Sequence, residues 1–177
     1  MAEKQNSDVW SDLEKPFWWD TPTWLATGKI DSIGIAHNHM HRSGVLPNEA
    51  WGRPRDIEQY PGPQGNAYWT TEIYYHILNS GLIVPPSAGS ASGLLPNPVG
   101  YNRVYVHLGT DPLTRDRWFD SLRAGRCFVT NGPLLRVTAN DSLPGSVIKL
   151  KRGSSTVQLD MRLTSNDPIS QLEVIYN

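Results

Sequence analysis

The spacing of apolar positions changes along the chain, and each change predicts a different element. The first fifteen residues are polar and without period, which predicts a disordered N-terminus over residues 1–16. Phe17, Trp18, Trp19 and Trp24 then form an aromatic cluster broken by Pro16 and Pro22. The run from Ile30 to His37 reads as a short strand with Ile33, Ile35 and His37 on one face. His39 and His41 continue that face if the backbone stays extended. Residues 42–69 carry four prolines (Pro47, Pro54, Pro61, Pro63) and no sustained period, so a long ordered loop is expected.

Beyond it, Thr70 or Thr71 can cap a helix with the apolar stripe Ile73, Tyr74, Ile77 and Leu78, ended by Asn79-Ser80-Gly81. Leu82-Ile83-Val84 reads as a buried strand stopped by Pro85-Pro86, opening into the small-residue loop Ala88-Gly89-Ser90-Ala91-Ser92-Gly93. Helix, glycine, strand and loop together make an α/β unit. A second such unit follows, with strands at 103–107 and 127–130 around a helix capped by Thr114 and carrying Trp118, Phe119 and Leu122. After Leu134 only β patterns remain: Val157, Leu159, Met161 and Leu163 alternate with polar partners, and so do Leu172, Val174 and Tyr176. This divides the chain into residues 1–16, an α/β domain over 17–134, and a β-rich antiparallel segment over 135–177.

Composition narrows what such a fold can do. A length of 177 residues supports one domain and falls short of the roughly 250 residues of an independent β/α barrel. Net charge −1 supplies no basic excess for nucleic acid, and the longest Lys/Arg cluster, Lys149, Lys151 and Arg152, is short. No apolar run approaches a membrane span, and the polar start is unlike a signal peptide. Neither nucleic-acid nor membrane partners are expected, and the compartment is not legible. The single cysteine, Cys127, excludes an internal disulfide and reads as a buried structural thiol. The aromatic content either plugs a core between loops, the commoner outcome, or lines a pocket for a ring-shaped or sugar-like small molecule.

The strongest chemical signal is Ala36-His37-Asn38-His39-Met40-His41. On an extended strand three imidazoles at alternate positions point the same way and can grip zinc, manganese or iron. The plainer alternative is a histidine cluster bonded to backbone, with no metal at all. Glu49, in Asn48-Glu49-Ala50-Trp51-Gly52, is the most interesting carboxylate because it adds an acid and an aromatic wall after the histidines. Ser90 and Ser92 lack a nucleophile elbow, although Gly89, Ser90 and Gly93 can offer backbone N–H groups to an anion. Asn131, in Asn131-Gly132-Pro133, can hold a turn or face a ligand.

Several stretches together resemble one family. Trp24-Leu25-Ala26, the Asp31-to-His41 strand, Glu72-Ile73-Tyr74-Tyr75-His76, Pro86-Ser87-Ala88-Gly89-Ser90, Gly100-Tyr101-Asn102-Arg103-Val104-Tyr105-Val106 and the stretch from Leu122 through Cys127 to Pro133 are similar to the later part of the carbaryl-hydrolase-like branch of the PHP (polymerase and histidinol phosphatase) metal-dependent hydrolases. The resemblance implies a distorted β/α barrel with divalent metals at the strand ends, hydrolysing phosphoester or carbamate and amide bonds through metal-activated water. It also implies a late Gly-Ser-Asp-x-His loop, and here the Asp and His positions are Ala91 and Gly93, neither able to bind metal. The early His-x-His ligands of the family would lie before Trp18.

The expectation is therefore a fragment or degenerate relative of such a hydrolase, a partial barrel inactive as this chain. Its rival is a non-catalytic binding module for a small molecule or carbohydrate, built on Trp51, Trp69, Tyr101 and Arg103. An interrupted barrel exposes apolar edges, so homo-oligomerisation is expected as well.

Overall fold

In the computed structural model, which describes residues 9–46, 48–49, 51–153 and 156–176, a parallel three-stranded sheet organises the α/β part. Strand β1 (Asp12–Leu13) lies beside β2 (Ser32–Ala36), and β2 lies beside β5 (Pro86–Ala88), in the order β1-β2-β5. Helix α1 (Thr21–Ala26) follows β1, and helix α2 (Gly65–Asn79) follows the short antiparallel pair β3 (Met40–His41) and β4 (Gly44–Val45). Parallel neighbours need such crossovers, and the sequence supplies one on each side of β2.

The central strand is buried because its apolar residues have cover: Ile33 packs with Leu13, Tyr74 and Ile77, surrounded by Trp24, Leu25, Ile30, Ile73 and Val84. Gly34 permits the close β1–β2 approach, since a Cβ there would meet the Glu14 carbonyl oxygen at 2.2 Å. Tyr74 donates its hydroxyl to the Val84 carbonyl at 2.8 Å, and burial raises its pKa above the ordinary tyrosine value. Two serines brace the sheet through one carboxylate, Ser32 Oγ and Ser87 Oγ both donating to Asp12 Oδ1.

Two antiparallel strand pairs complete the described fold. Strands β6 (Arg103–Val106) and β7 (Cys127–Thr130) pair antiparallel around α3 (Arg115–Arg123), and β8 (Leu134–Ala139) pairs antiparallel with β9 (Leu159–Thr164). Thr114 caps α3 as its sequence predicts, accepting from the Arg117 N–H at 3.4 Å. Cys127 is buried, which pushes its thiol pKa up to about 11 and keeps it protonated.

The chain is mixed α/β, but its sheets stay separate and no barrel closes among the described residues. Several local expectations are corrected. Residues 9–16 are not frayed: Asp12–Leu13 is a sheet strand, and Leu13, Lys15 and Pro16 are buried, while residues 1–8 lie outside the described residues. Helix α2 starts at Gly65, five residues before Thr70, because Thr70 and Thr71 return their hydroxyls to the Asn66 and Ala67 carbonyls instead of capping. The strand expected at 82–84 lies at Pro86–Ala88, since proline is tolerated as a first strand residue, and Ile83 is exposed. β6 and β7 form an antiparallel pair, not a second parallel unit, and Leu172, Val174 and Tyr176 are exposed outside any strand. Among the described residues no helix is long and apolar enough to cross a membrane.

Candidate functional site

The carboxyl ends of three adjacent parallel strands deliver Glu14 and Lys15 from β1, His37 to His39 from β2, and Gly89 and Ser90 from β5 to one place. In open α/β sheets ligands bind at this end. The chain leaves extended geometry after Ala36, turns through Asn38 and His39, and re-enters β3 at Met40. The Met40 N–H bonds the His37 carbonyl at 2.9 Å, closing that turn.

His37 is fully buried, at 0% exposure. Its Nδ1 accepts from the His39 backbone N–H at 3.3 Å, so the ring proton sits on Nε2, which donates to Thr70 Oγ1 at 3.1 Å. Thr70 in turn donates to the Asn66 carbonyl at 2.8 Å. Burial is the main cause that lowers the His37 pKa to about 3, helped by the neighbouring His39 and Lys15 charges. His39 Nδ1 donates to the Asn48 carbonyl at 2.8 Å, leaving Nε2 as its acceptor; burial lowers its pKa too, opposed by that hydrogen bond. His41 is buried with Nε2 lacking a hydrogen-bond partner.

Around the imidazoles stand Phe17 and Trp69, both noted in the sequence as aromatics, and Lys15, Asn97 and Asn102, which no site reading of the sequence singled out. The Phe17 ring meets His37 edge-on at 5.5 Å and stacks on Trp69 at 5.5 Å. Lys15 is buried, 3.1 Å from Glu14 Oε2 and over the Trp18 ring at 5.1 Å. Asn102 is the clasp, its Nδ2 donating to the carbonyls of His37 (2.9 Å), Met40 (3.0 Å) and Gly89 (3.2 Å). Asn97 adds a second link, donating to the Ser90 carbonyl at 3.1 Å and accepting from the Arg42 N–H at 3.2 Å. Buried oxygens of Asn38, Asn66 and Asn102 keep unused acceptor capacity.

The predicted site residues divide between this centre and the surface. Glu49 reaches it: its carboxylate is held by Arg55, accepts from Asn66 Nδ2 at 3.4 Å, and follows the residue that binds His39. Ser90 reaches it as a staple, its hydroxyl accepting from the Asn102 N–H at 2.8 Å and donating to the Asn102 carbonyl at 3.2 Å, so it is not poised as a nucleophile. Ser92 pairs in a bridge with Leu95. Trp51 is 98% exposed at φ 64° and forms no wall; its neighbour Ala50 lies outside the described residues. Arg103 binds the Tyr101 and Gly132 carbonyls at 3.0 and 3.2 Å, bracing two turns, and Asn131 is exposed beside them. Trp51, Trp69, Tyr101 and Arg103 therefore do not share one pocket.

The three histidines do not form the expected metal grip. The His37 and His39 rings stay adjacent, their centroids 5.3 Å apart, but both His37 ring nitrogens are engaged inside the protein. Among the described residues no group of three or more His, Cys, Asp or Glu is arranged to hold a metal ion. At Ala91, with φ 46°, and Gly93, the loop has no ligand to add.

A groove of about 1090 Å³ abuts the site, sharing Phe17, Trp69 and Arg55 with it and continuing along Trp18, Trp19 and Tyr60. Comparison with known proteins finds no matching family, no matching curated protein and no matching solved structure.

Proposed function

We propose that the chain is a degenerate PHP-type metallohydrolase unit that keeps the polar strand-end site as a binding floor and does not itself hydrolyse phosphoester, carbamate or amide bonds. The observation that carries this reading is His37 at the end of the middle parallel strand, with both ring nitrogens committed to Thr70 and His39. A hydrolase of this kind needs imidazole lone pairs turned to metal, and His37 has none to give. The residues present do not fit a zinc, manganese or iron centre, so no metal-dependent step is assigned to them.

Assays of the purified chain with p-nitrophenyl phosphate and an aryl carbamate, each with added zinc, manganese or iron, test this. The expected rate equals that of the metal solution alone. Metal-dependent turnover abolished by His39→Ala would overturn the proposal.

The aromatic groove favours a second reading, a binding module for a flat or sugar-like small molecule. Trp18, Trp19 and Tyr60 offer faces, and Glu72 and Arg53 offer polar contacts at the same groove. Titration of tryptophan fluorescence with an aryl carbamate and with an oligosaccharide should show saturable quenching by one of them, lost in Trp19→Ala. Linear, non-saturating responses to both would remove this reading.

A further inference from the structure

The β8–β9 hairpin is a two-stranded sheet with β9 hydrogen-bonded only to β8 among the described residues. Such a ribbon is marginal alone, and its open edge exposes backbone donors and acceptors. Leu159, Met161 and Leu163 share one face and are 37%, 43% and 40% exposed. On the other face Arg136 stands directly opposite Arg162, a like-charge pair that disfavours the hairpin.

The alternation of the ladder fixes what the free edge presents. The Asn140 N–H bonds the Gln158 carbonyl at 2.9 Å, which makes 140 and 158 a hydrogen-bonded pair. Counting inward along the register, Thr138–Asp160 and Arg136–Arg162 are also hydrogen-bonded pairs. Leu159, Met161 and Leu163 therefore turn their N–H and C=O groups outward from β8.

We infer that this edge pairs with the same edge of a second copy, antiparallel and centred on Met161. In that register Met161 faces its own copy and Leu159 faces Leu163 of the other copy, continuing the apolar row. Asp160 faces Arg162 of the other copy twice, and both fall at non-hydrogen-bonded positions, where side chains approach most closely. The second Asp160 compensates the Arg136–Arg162 repulsion. A two-fold axis makes the contact self-complementary and closed, so a dimer and not a fibre results. The inference is independent of the hydrolase reading.

Sedimentation equilibrium of the full chain and of four variants tests it, with circular dichroism to confirm folding. Wild type is expected to be a dimer at micromolar concentration. Asp160→Arg and Arg162→Asp each place like charges across the axis and should weaken the dimer by about tenfold or more. The double variant Asp160→Arg/Arg162→Asp restores opposite charges and should restore dimerisation. Arg162→Asp also gives Arg136 an opposite partner within the hairpin, so dimer loss there is not unfolding. Met161→Pro removes an outward N–H that β8 does not use, and should give a folded monomer. A monomeric wild type, with the edge covered by the chain's own residues 171–176 or left open, would overturn the inference. So would a dimer indifferent to Met161→Pro and to both single reversals.

Discussion

His37 Nε2 donates to Thr70 Oγ1 across 3.1 Å, tying the end of the central strand to the middle of helix α2 in a fully buried contact. Thr70 can serve because its hydroxyl donates onward to the Asn66 carbonyl and leaves a lone pair facing the imidazole. Thr70→Val keeps the shape and removes that acceptor, stranding a buried N–H. A loss of about 1–3 kcal/mol is expected in urea unfolding, with Thr70→Ser losing less. Equal stability of Thr70→Val and wild type would mean that the contact contributes nothing.

The same imidazole sets a pH dependence. Its folded pKa is lowered to about 3 from an ordinary 6.5, so the unfolded chain binds more protons between those values. The contribution is fully present above pH 6.5 and is lost as pH falls from there toward 3, with a slope of at most about 1.4 kcal/mol per pH unit from this group. His39, also lowered, acts in the same direction. Unfolding midpoints measured across this window should fall less steeply in His37→Gln than in wild type; identical slopes would contradict the buried neutral histidine.

Glu49 and Arg55 form a largely buried ion pair, their side chains 15% and 8% exposed. Removing one partner leaves the other charge uncompensated. Glu49→Ala is expected to cost about 3–5 kcal/mol, and the double variant Glu49→Ala/Arg55→Met to recover much of it. Additive losses in that cycle, read from chemical denaturation, would show that the pair is not coupled.

Elements with strong local signals were legible in the sequence: the strand around Ile33, the Ile73-to-Leu78 stripe, the Thr114 cap and the buried Cys127. What escaped depended on distant partners. Asn102 and Asn97 are single amides whose role exists only where three loops meet, and no period or spacing marks them. The histidine triplet was visible but the partners of its ring nitrogens were not. The His37 and His39 rings stay 5.3 Å apart, yet Thr70, the His39 N–H and the Asn48 carbonyl occupy them, and no spacing in the sequence shows those contacts. Glu49 was found for its company, whereas Trp51, beside it, was mistaken for a wall because its exposed, positive-φ conformation leaves no trace in the sequence.

Gly34 gives the closest test of the sheet that positions the site. With a Cβ meeting the Glu14 carbonyl oxygen at 2.2 Å, Gly34→Ala must push β1 away from β2. A loss of about 1–3 kcal/mol is expected, seen as a lowered Tm. An unchanged Tm would indicate that β1 is not seated on β2.

If the protein itself satisfies the strand-end site, the site holds no metal, and metal analysis checks this. The purified chain is incubated with zinc, manganese and iron, dialysed, and measured by inductively coupled plasma mass spectrometry beside His37→Ala and His39→Ala. Substoichiometric metal, equal in all three proteins, is the expected result. One or more equivalents in wild type, lost in either variant, would make the strand-end site a metal centre.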